Sequence, residues 1–190
     1  MTAPAHAPSR PKFFLEYLRD LKVAAIAPSS AFLVRRLLRR LDPSRRHLVL
    51  ELGPGDGVAT SAVLAALPAD ARLVAVERNP HFAAALKQWT DPRLTALEGD
   101  ARAAGQLGKL GPNQVDAVLA SIPFTYLNKA DRAALTATAK RLLKPGGIFI
   151  VFHQYSPLML PYMKKEFGNV TAEFEPLNVF PCFLMTATKK

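Results

Sequence analysis

From His47 onward, short β-branched or leucine-rich runs alternate with stretches of helical character, the pattern of βαβ units and a mainly parallel sheet. The runs predict strands over residues 48–52, 72–77, 94–98, 115–120 and 148–153. Helices are predicted between them near 60–67, 80–89, 102–107 and 129–143. Two further β-like stretches follow at 170–174 and 182–188. With no internal repeat and no interdomain linker, residues 1–190 read as one domain whose sheet occupies 47–190.

Upstream the pattern changes. Residues 1–10 are rich in Pro, Ala and His without periodicity and read as a mobile tail. Over residues 11–21, at about 100° per residue, Phe13, Phe14, Tyr17, Leu18 and Leu21 share one face and Glu16, Arg19 and Asp20 the other. That spacing predicts an amphipathic helix with Pro11 in its first turn. Pro28-Ser29-Ser30 then offers N-cap hydroxyls to a second helix over 31–41. Its apolar face is Leu33, Val34, Leu37, Leu38 and Leu41, and its other face carries Arg35, Arg36, Arg39 and Arg40 with no acidic partner on the same helix.

Composition narrows the class. A chain of 190 residues with 49% hydrophobic and 21% charged residues can bury a sizeable core, and its apolar runs are far shorter than a bilayer requires. No signal peptide is expected, because the first residues lack a continuous apolar segment. The single cysteine, Cys182, excludes an internal disulfide and a Cys-rich zinc site, so a reducing cytosol is the expected compartment and no metal is expected. Ten of the 25 basic residues but only three of the 15 acidic ones lie in residues 1–46. The net charge of +10 is therefore concentrated in the N-terminal segment, which would be drawn to nucleic acid or to anionic lipid.

The loops after the predicted strands carry the chemistry. The first strand ends in Glu51-Leu52-Gly53-Pro54-Gly55-Asp56-Gly57. Glycines at such a turn let the backbone bend sharply and approach a ligand. A dinucleotide site would need its third glycine where Val58 stands, and no Lys-Ser or Lys-Thr follows for a Walker loop. GxGxG after an acidic residue is the form found in enzymes that bind S-adenosylmethionine (SAM). The second strand ends in Glu77-Arg78, a carboxylate placed to accept hydrogen bonds from ribose hydroxyls. The third ends in Asp100-Ala101, which suits the amino group and a ring nitrogen of adenine, or simply caps the next helix. Lys144-Pro145-Gly146-Gly147 before the fifth strand completes the series.

The fourth strand ends in Ser121-Ile122-Pro123-Phe124. Amino methyltransferases acting on bases often have Asn-Leu-Pro-Tyr at this point. Here Ser121 replaces the Asn and Phe124 the Tyr, which argues against a nucleic-acid base as substrate. The Ser121 or Ile122 carbonyl could orient an amine and Phe124 could face a cation, or Ile122 and Phe124 simply pack on the sheet. His153, at the end of the fifth strand, could take a proton or bind phosphate, with Tyr155 two residues on. Tyr17 could reach the reacting amine if its helix closes over the sheet. Tyr126 ranks below these, and His47 and His81 read as surface residues.

The segments 13–18 (Phe-Phe-Leu-Glu-Tyr-Leu), 25–30 (Ala-Ile-Ala-Pro-Ser-Ser) and Glu51-Leu52-Gly53-Pro54-Gly55 resemble the bacterial soluble-type phospholipid N-methyltransferases. That family is similar in its catalytic domain to rRNA adenine dimethylases. The resemblance implies an α/β class I SAM-dependent methyltransferase fold: a Rossmann-like, seven-stranded doubly wound sheet preceded by amphipathic helices that lid the site. It implies stepwise methylation of phosphatidylethanolamine toward phosphatidylcholine by a cytoplasmic enzyme peripheral to the inner face of the cell membrane. The expected cofactor residues are Ser30, Glu51, Gly53, Gly55, Gly57, Thr60, Glu77, Arg78, Asp100 and Ala101. Those expected at the reacting amine are Tyr17, Ser121, Ile122 and His153. Arg35, Arg36, Arg39 and Arg40 are expected on lipid phosphates at an anionic membrane surface. Nucleic acid is not expected as a partner, and no protein partner is read from the chain. The alternatives are rRNA adenine dimethylation, against which no helical RNA-binding domain follows the sheet, and a degenerate fold that binds lipid or RNA.

Overall fold

Central strands buried on both faces read as nearly continuous apolar runs, and that is how the sheet of this protein is written. The computed structural model describes residues 30–178 and 180–190. The expected tail at 1–10, the amphipathic helix at 11–21 and Tyr17 lie outside the described residues. Helix α1 (Ala31–Leu41) leads through a 3-10 turn, Pro43–Arg45, into β1 (Leu48–Leu52), α2 (Val58–Ala66), β2 (Arg72–Glu77), α3 (Pro80–Lys87) and β3 (Leu94–Glu98). A 3-10 turn, Ala101–Ala103, runs into α4 (Ala104–Leu107), followed by β4 (Val115–Ala120) and a 3-10 turn, Phe124–Tyr126. Then come α5 (Lys129–Leu142), β5 (Leu143–Gln154), α6 (Leu160–Phe167), β6 (Val170–Glu175) and β7 (Cys182–Thr188).

The seven strands form one sheet in the order β3-β2-β1-β4-β5-β7-β6. All neighbours are parallel except β7, which runs antiparallel to both β5 and β6. Side chains alternate between two apolar layers. Val49, Leu73, Leu119 and Ile150 face Leu33, Leu37 and Leu41 of α1 and Val63 and Leu64 of α2. Leu50, Val74, Val118 and Phe149 face Leu135, Ala139 and Leu142 of α5 and Met163 and Phe167 of α6. Chain order reverses between β1 and β4, which opens a crevice at their carboxyl ends, the usual ligand position in open α/β sheets. Among the described residues no helix is long and apolar enough to cross a membrane.

Three elements differ from the sequence reading. Strand β5 begins at Leu143 rather than at 148, because Gly146 N–H donates to Lys189 O and Lys189 N–H to Gly147 O, which extends the ladder through the Lys-Pro-Gly-Gly segment. Helix α6 was hidden by Pro161, which sits in its first turn, where no intrahelical N–H is needed. The helix expected from 102 opens as a 3-10 turn capped by Asp100.

Candidate active site at the carboxyl edge of the sheet

The turn from β1 to α2 is built on left-handed backbone. Gly53, Gly55 and Gly57 have φ of 76°, 57° and 78°. A β-carbon on Gly53 would come within 2.7 Å of both the Ser121 carbonyl oxygen and Ile122 Cγ2. One on Gly57 would meet the Trp89 ring at 2.8 Å. Gly53 N–H donates to Val76 O and Ser121 N–H to Leu52 O, so the glycine loop and the loop after β4 are held side by side at the crevice.

Two carboxylates back this turn. Glu51 is 2% exposed, and its Oε2 and the Thr60 Oγ1 are both buried with no hydrogen-bond partner. Burial pushes the Glu51 pKa up to about 7; the adjacent Thr60 hydroxyl pulls it back, and the Glu77 and Asp56 charges add to the rise. Glu77 accepts Gly55 N–H on Oε2 at 3.0 Å and Asn79 N–H on Oε1 at 2.8 Å, which joins the end of β2 to the glycine loop. A cradle that a β-carbon would fill, beside a buried carboxylate oxygen without a partner, fits SAM, whose methionine portion carries an ammonium group.

Asp100 behaves as a helix cap. It accepts Arg102 N–H at 2.8 Å and pairs with the Arg102 guanidinium through both oxygens, at 3.0 and 2.8 Å. That bond holds its carboxyl below the usual range, with the charge of exposed Arg78 contributing. Ala101 opens the turn that Asp100 caps. Ser30 caps α1 by accepting Leu33 N–H at 3.2 Å, and its own N–H donates to Asn178 Oδ1 at 2.8 Å in the β6–β7 connection.

In the loop after β4, Ser121 and Ile122 are half-buried and the Ile122 carbonyl accepts Phe124 N–H at 2.8 Å. Phe124 is fully buried, and its ring lies 5.7 Å from that of His153. Of the two readings of Phe124, packing on the sheet is the one observed, and the ring does not face a substrate cation; Tyr126, 63% exposed, is the accessible aromatic of the loop. His153 is half-buried, with Nδ1 3.2 Å from Ser156 O. A carbonyl partner requires Nδ1 to donate, which leaves Nε2 as the acceptor. Burial lowers the His153 pKa and the Arg132 charge adds to the effect, while backbone bonds to Ser156 and Gln154 oppose it. His47 is exposed beside Asp70, and His81 is exposed.

The arginine stripe has partners that the helix alone conceals. Arg36 pairs with Glu173 at 3.2 Å and Glu175 at 2.9 Å, Arg39 with Glu173 at 3.0 Å, and Arg40 also with Glu173. Both acids project from β6, two residues apart and so on one face of the strand. Only Arg35 stays outside this cluster, lying 5.9 Å over the Phe32 ring. Sequence reasoning passed over Glu173, Glu175, Asn178 and Trp89; the alternation of Glu173 and Glu175 in a β-like stretch was the available signal.

Residues 49–147 match the family described as a methyltransferase domain. An ornithine lipid N-methyltransferase from Singulisphaera acidiphila is 31% identical over 162 residues, covering 84% of this chain and 84% of that protein. An rRNA methyltransferase from Streptomyces thermotolerans is 37% identical over 111 residues, 57% of this chain and 34% of that protein. The crystal structure of a SAM-dependent methyltransferase from Aquifex aeolicus shares the fold with a TM-score of 0.66 at 14% identity, over 96% of this chain and 100% of that one. With the glycine cradle, the carboxylates behind it and the strand order in place, the chain belongs to the methyltransferase domain family and is a class I SAM-dependent methyltransferase.

Proposed function

We propose that this enzyme methylates the amine of phosphatidylethanolamine, stepwise toward phosphatidylcholine, at the cytoplasmic face of the cell membrane. The observation that carries an amine acceptor is the close approach of Gly53 to the Ser121 carbonyl and the Ile122 side chain, with the His153 ring beside Phe124 of the same loop. The lipid class is supported by similarity to a lipid N-methyltransferase over most of both chains.

SAM supplies a methyl group already activated on a sulfonium, so the protein's tasks are alignment, desolvation and proton removal. Glu77 would hold the ribose hydroxyls and Glu51 the ammonium group, and the glycine loop leaves space for the backbone to approach the cofactor. The Ser121 carbonyl accepts an N–H of the substrate amine and points its lone pair into the crevice. His153, neutral with Nε2 free of the Ser156 bond, takes the proton that a lipid ammonium must lose before it reacts.

The similarity to an rRNA methyltransferase favours a second reading, methylation of ribosomal RNA, which the replacement of Asn by Ser121 opposes. Incubation with methyl-labelled SAM and phosphatidylethanolamine vesicles, ornithine-lipid vesicles or ribosomal particles separates these. Label in phosphatidylethanolamine supports the proposal, label in ornithine lipid alone moves the substrate to another lipid amine, and label in RNA alone overturns it. No transfer to any of them, with SAM binding intact by calorimetry, would leave a degenerate binding module.

A further inference from the structure

Six large apolar side chains are exposed among the described residues, and all of them lie near the carboxyl edge of the sheet. Tyr155, 57% exposed, follows directly on β5, while Phe174 and Leu177, 49% and 59% exposed, stand at the end of β6 and in its connection to β7. Phe32, 47% exposed, opens α1 two residues after Ser30, whose N–H is tied to Asn178 in that connection. Tyr126 follows β4, and Leu107 lies against Gly99 just after β3. Isolated exposed apolar residues are ordinary, but a set gathered on the one edge that holds the reaction crevice is not scattered.

Their chemistry fits a lipid interface. Tyrosine pairs an apolar ring with a hydroxyl and settles at headgroup depth. Arg35 stacked over Phe32 places a cation beside an apolar group, as at a charged bilayer surface. A second copy of this chain is a poor occupant, because two molecules of net charge +10 repel one another. The other arginines of α1 already have Glu173 and Glu175 as counter-ions.

Resting on the lipid reading above, we infer that Phe32, Tyr155, Phe174 and Leu177 form a rim that seats in the headgroup layer of an anionic bilayer with the crevice facing it, Arg35 being its lipid-facing cation. Arg36 and Arg40 are positioning residues that bind α1 to β6, and Arg39, 65% exposed, only adds to the neutralisation of Glu173.

The test uses the full chain and vesicles of phosphatidylglycerol and phosphatidylcholine in a sedimentation assay. The double substitution Tyr155→Ser with Leu177→Ser should weaken vesicle binding about tenfold and leave SAM affinity unchanged. Arg39→Gln should change vesicle binding less than about twofold, because Glu173 screens that charge. Both substituted rim side chains are exposed, and a melting curve on each variant confirms folding. Wild-type vesicle binding by the double variant, or a larger loss in Arg39→Gln than in the rim variant, overturns the inference. So does a rim variant whose only change is in sedimentation-equilibrium mass, which would make the edge a contact between copies. Methyl transfer to phosphatidylethanolamine in detergent micelles, measured in parallel, reports the lipid reading independently. A wild-type protein that binds vesicles through the rim but methylates no lipid keeps the inference and refutes the function.

Discussion

Gly53 and Ser121 touch across the reversal of the sheet: a β-carbon on the glycine would stand 2.7 Å from the serine carbonyl oxygen. The glycine turn and the loop after β4 are therefore one packed unit, and Gly53→Ala must both strain a left-handed φ and push the loops apart. The expected outcome is a loss of about 2 kcal/mol in stability and at least tenfold in SAM affinity. Trp89, the single tryptophan, packs on Gly57 of the same turn, so its fluorescence on SAM titration reads the effect directly. An alanine variant with unchanged melting and titration would separate the two loops energetically.

Glu77→Ala should weaken SAM binding by about 2 kcal/mol, the value of hydrogen bonds to a charged group. Asp100→Ala should do less to SAM, because its carboxylate is engaged by Arg102, and more to the turn that it caps. Calorimetry on the two variants ranks them; a larger effect at Asp100 would reverse the assignment.

Glu51 gives a pH signature of defined sign. Its pKa is raised on folding to about 7, so the folded protein binds a proton that the unfolded chain has released. Its contribution is greatest at acid pH and is lost as pH rises from the ordinary carboxylate range to about 7, up to roughly 3 kcal/mol in the absence of ligand. Glu51→Gln should flatten that slope in denaturant titrations at pH 5 and pH 8. SAM binding at pH 6 should also release a proton if the ionised carboxylate meets an ammonium, seen as a buffer-dependent heat in calorimetry.

Glu173 has the opposite sign. Burial favours its neutral form, but Arg40's hydrogen bond and the charges of Arg40, Arg36 and Arg39 outweigh that and hold its pKa low. Its stabilisation is present above the ordinary carboxylate range and is lost as pH falls through the lowered value. Glu173→Gln should cost about 1 kcal/mol at pH 7, a modest figure because its arginine partners are partly exposed, and progressively less as pH falls through the lowered value. Equal melting of variant and wild type at pH 7 contradicts a clamp.

His153→Ala should slow methyl transfer about a hundredfold at pH 7, leave SAM affinity intact, and recover in part as pH rises and more amine is neutral. Because burial depresses its pKa, the wild-type acid limb should fall below the ordinary imidazole range. A loss without alkaline rescue makes His153 a structural or phosphate-binding residue.

Local pattern carried much of this structure. Strands β1 to β3 and β7 end where their apolar runs meet a Gly or a charged residue and β4 ends at polar Ser121, so the predicted bounds coincide with those observed. The glycine turn and the carboxylates Glu51 and Glu77 were legible for the same reason: each is fixed by its own strand end. What escaped depends on distant chain. Glu173 meets Arg40 across 133 residues, Phe124 is buried by packing beside His153, and β5 is lengthened by pairing with Lys189. No helical or strand period encodes such contacts.

Mass spectrometry of the lipid extract, after incubation of the full chain with SAM and phosphatidylethanolamine vesicles, tests the central claim most directly. The account predicts successive headgroup products heavier by one, two and three added methyl groups, formed by wild type and sharply reduced in Glu77→Ala. Unmodified phosphatidylethanolamine in the presence of protein that binds SAM would contradict it.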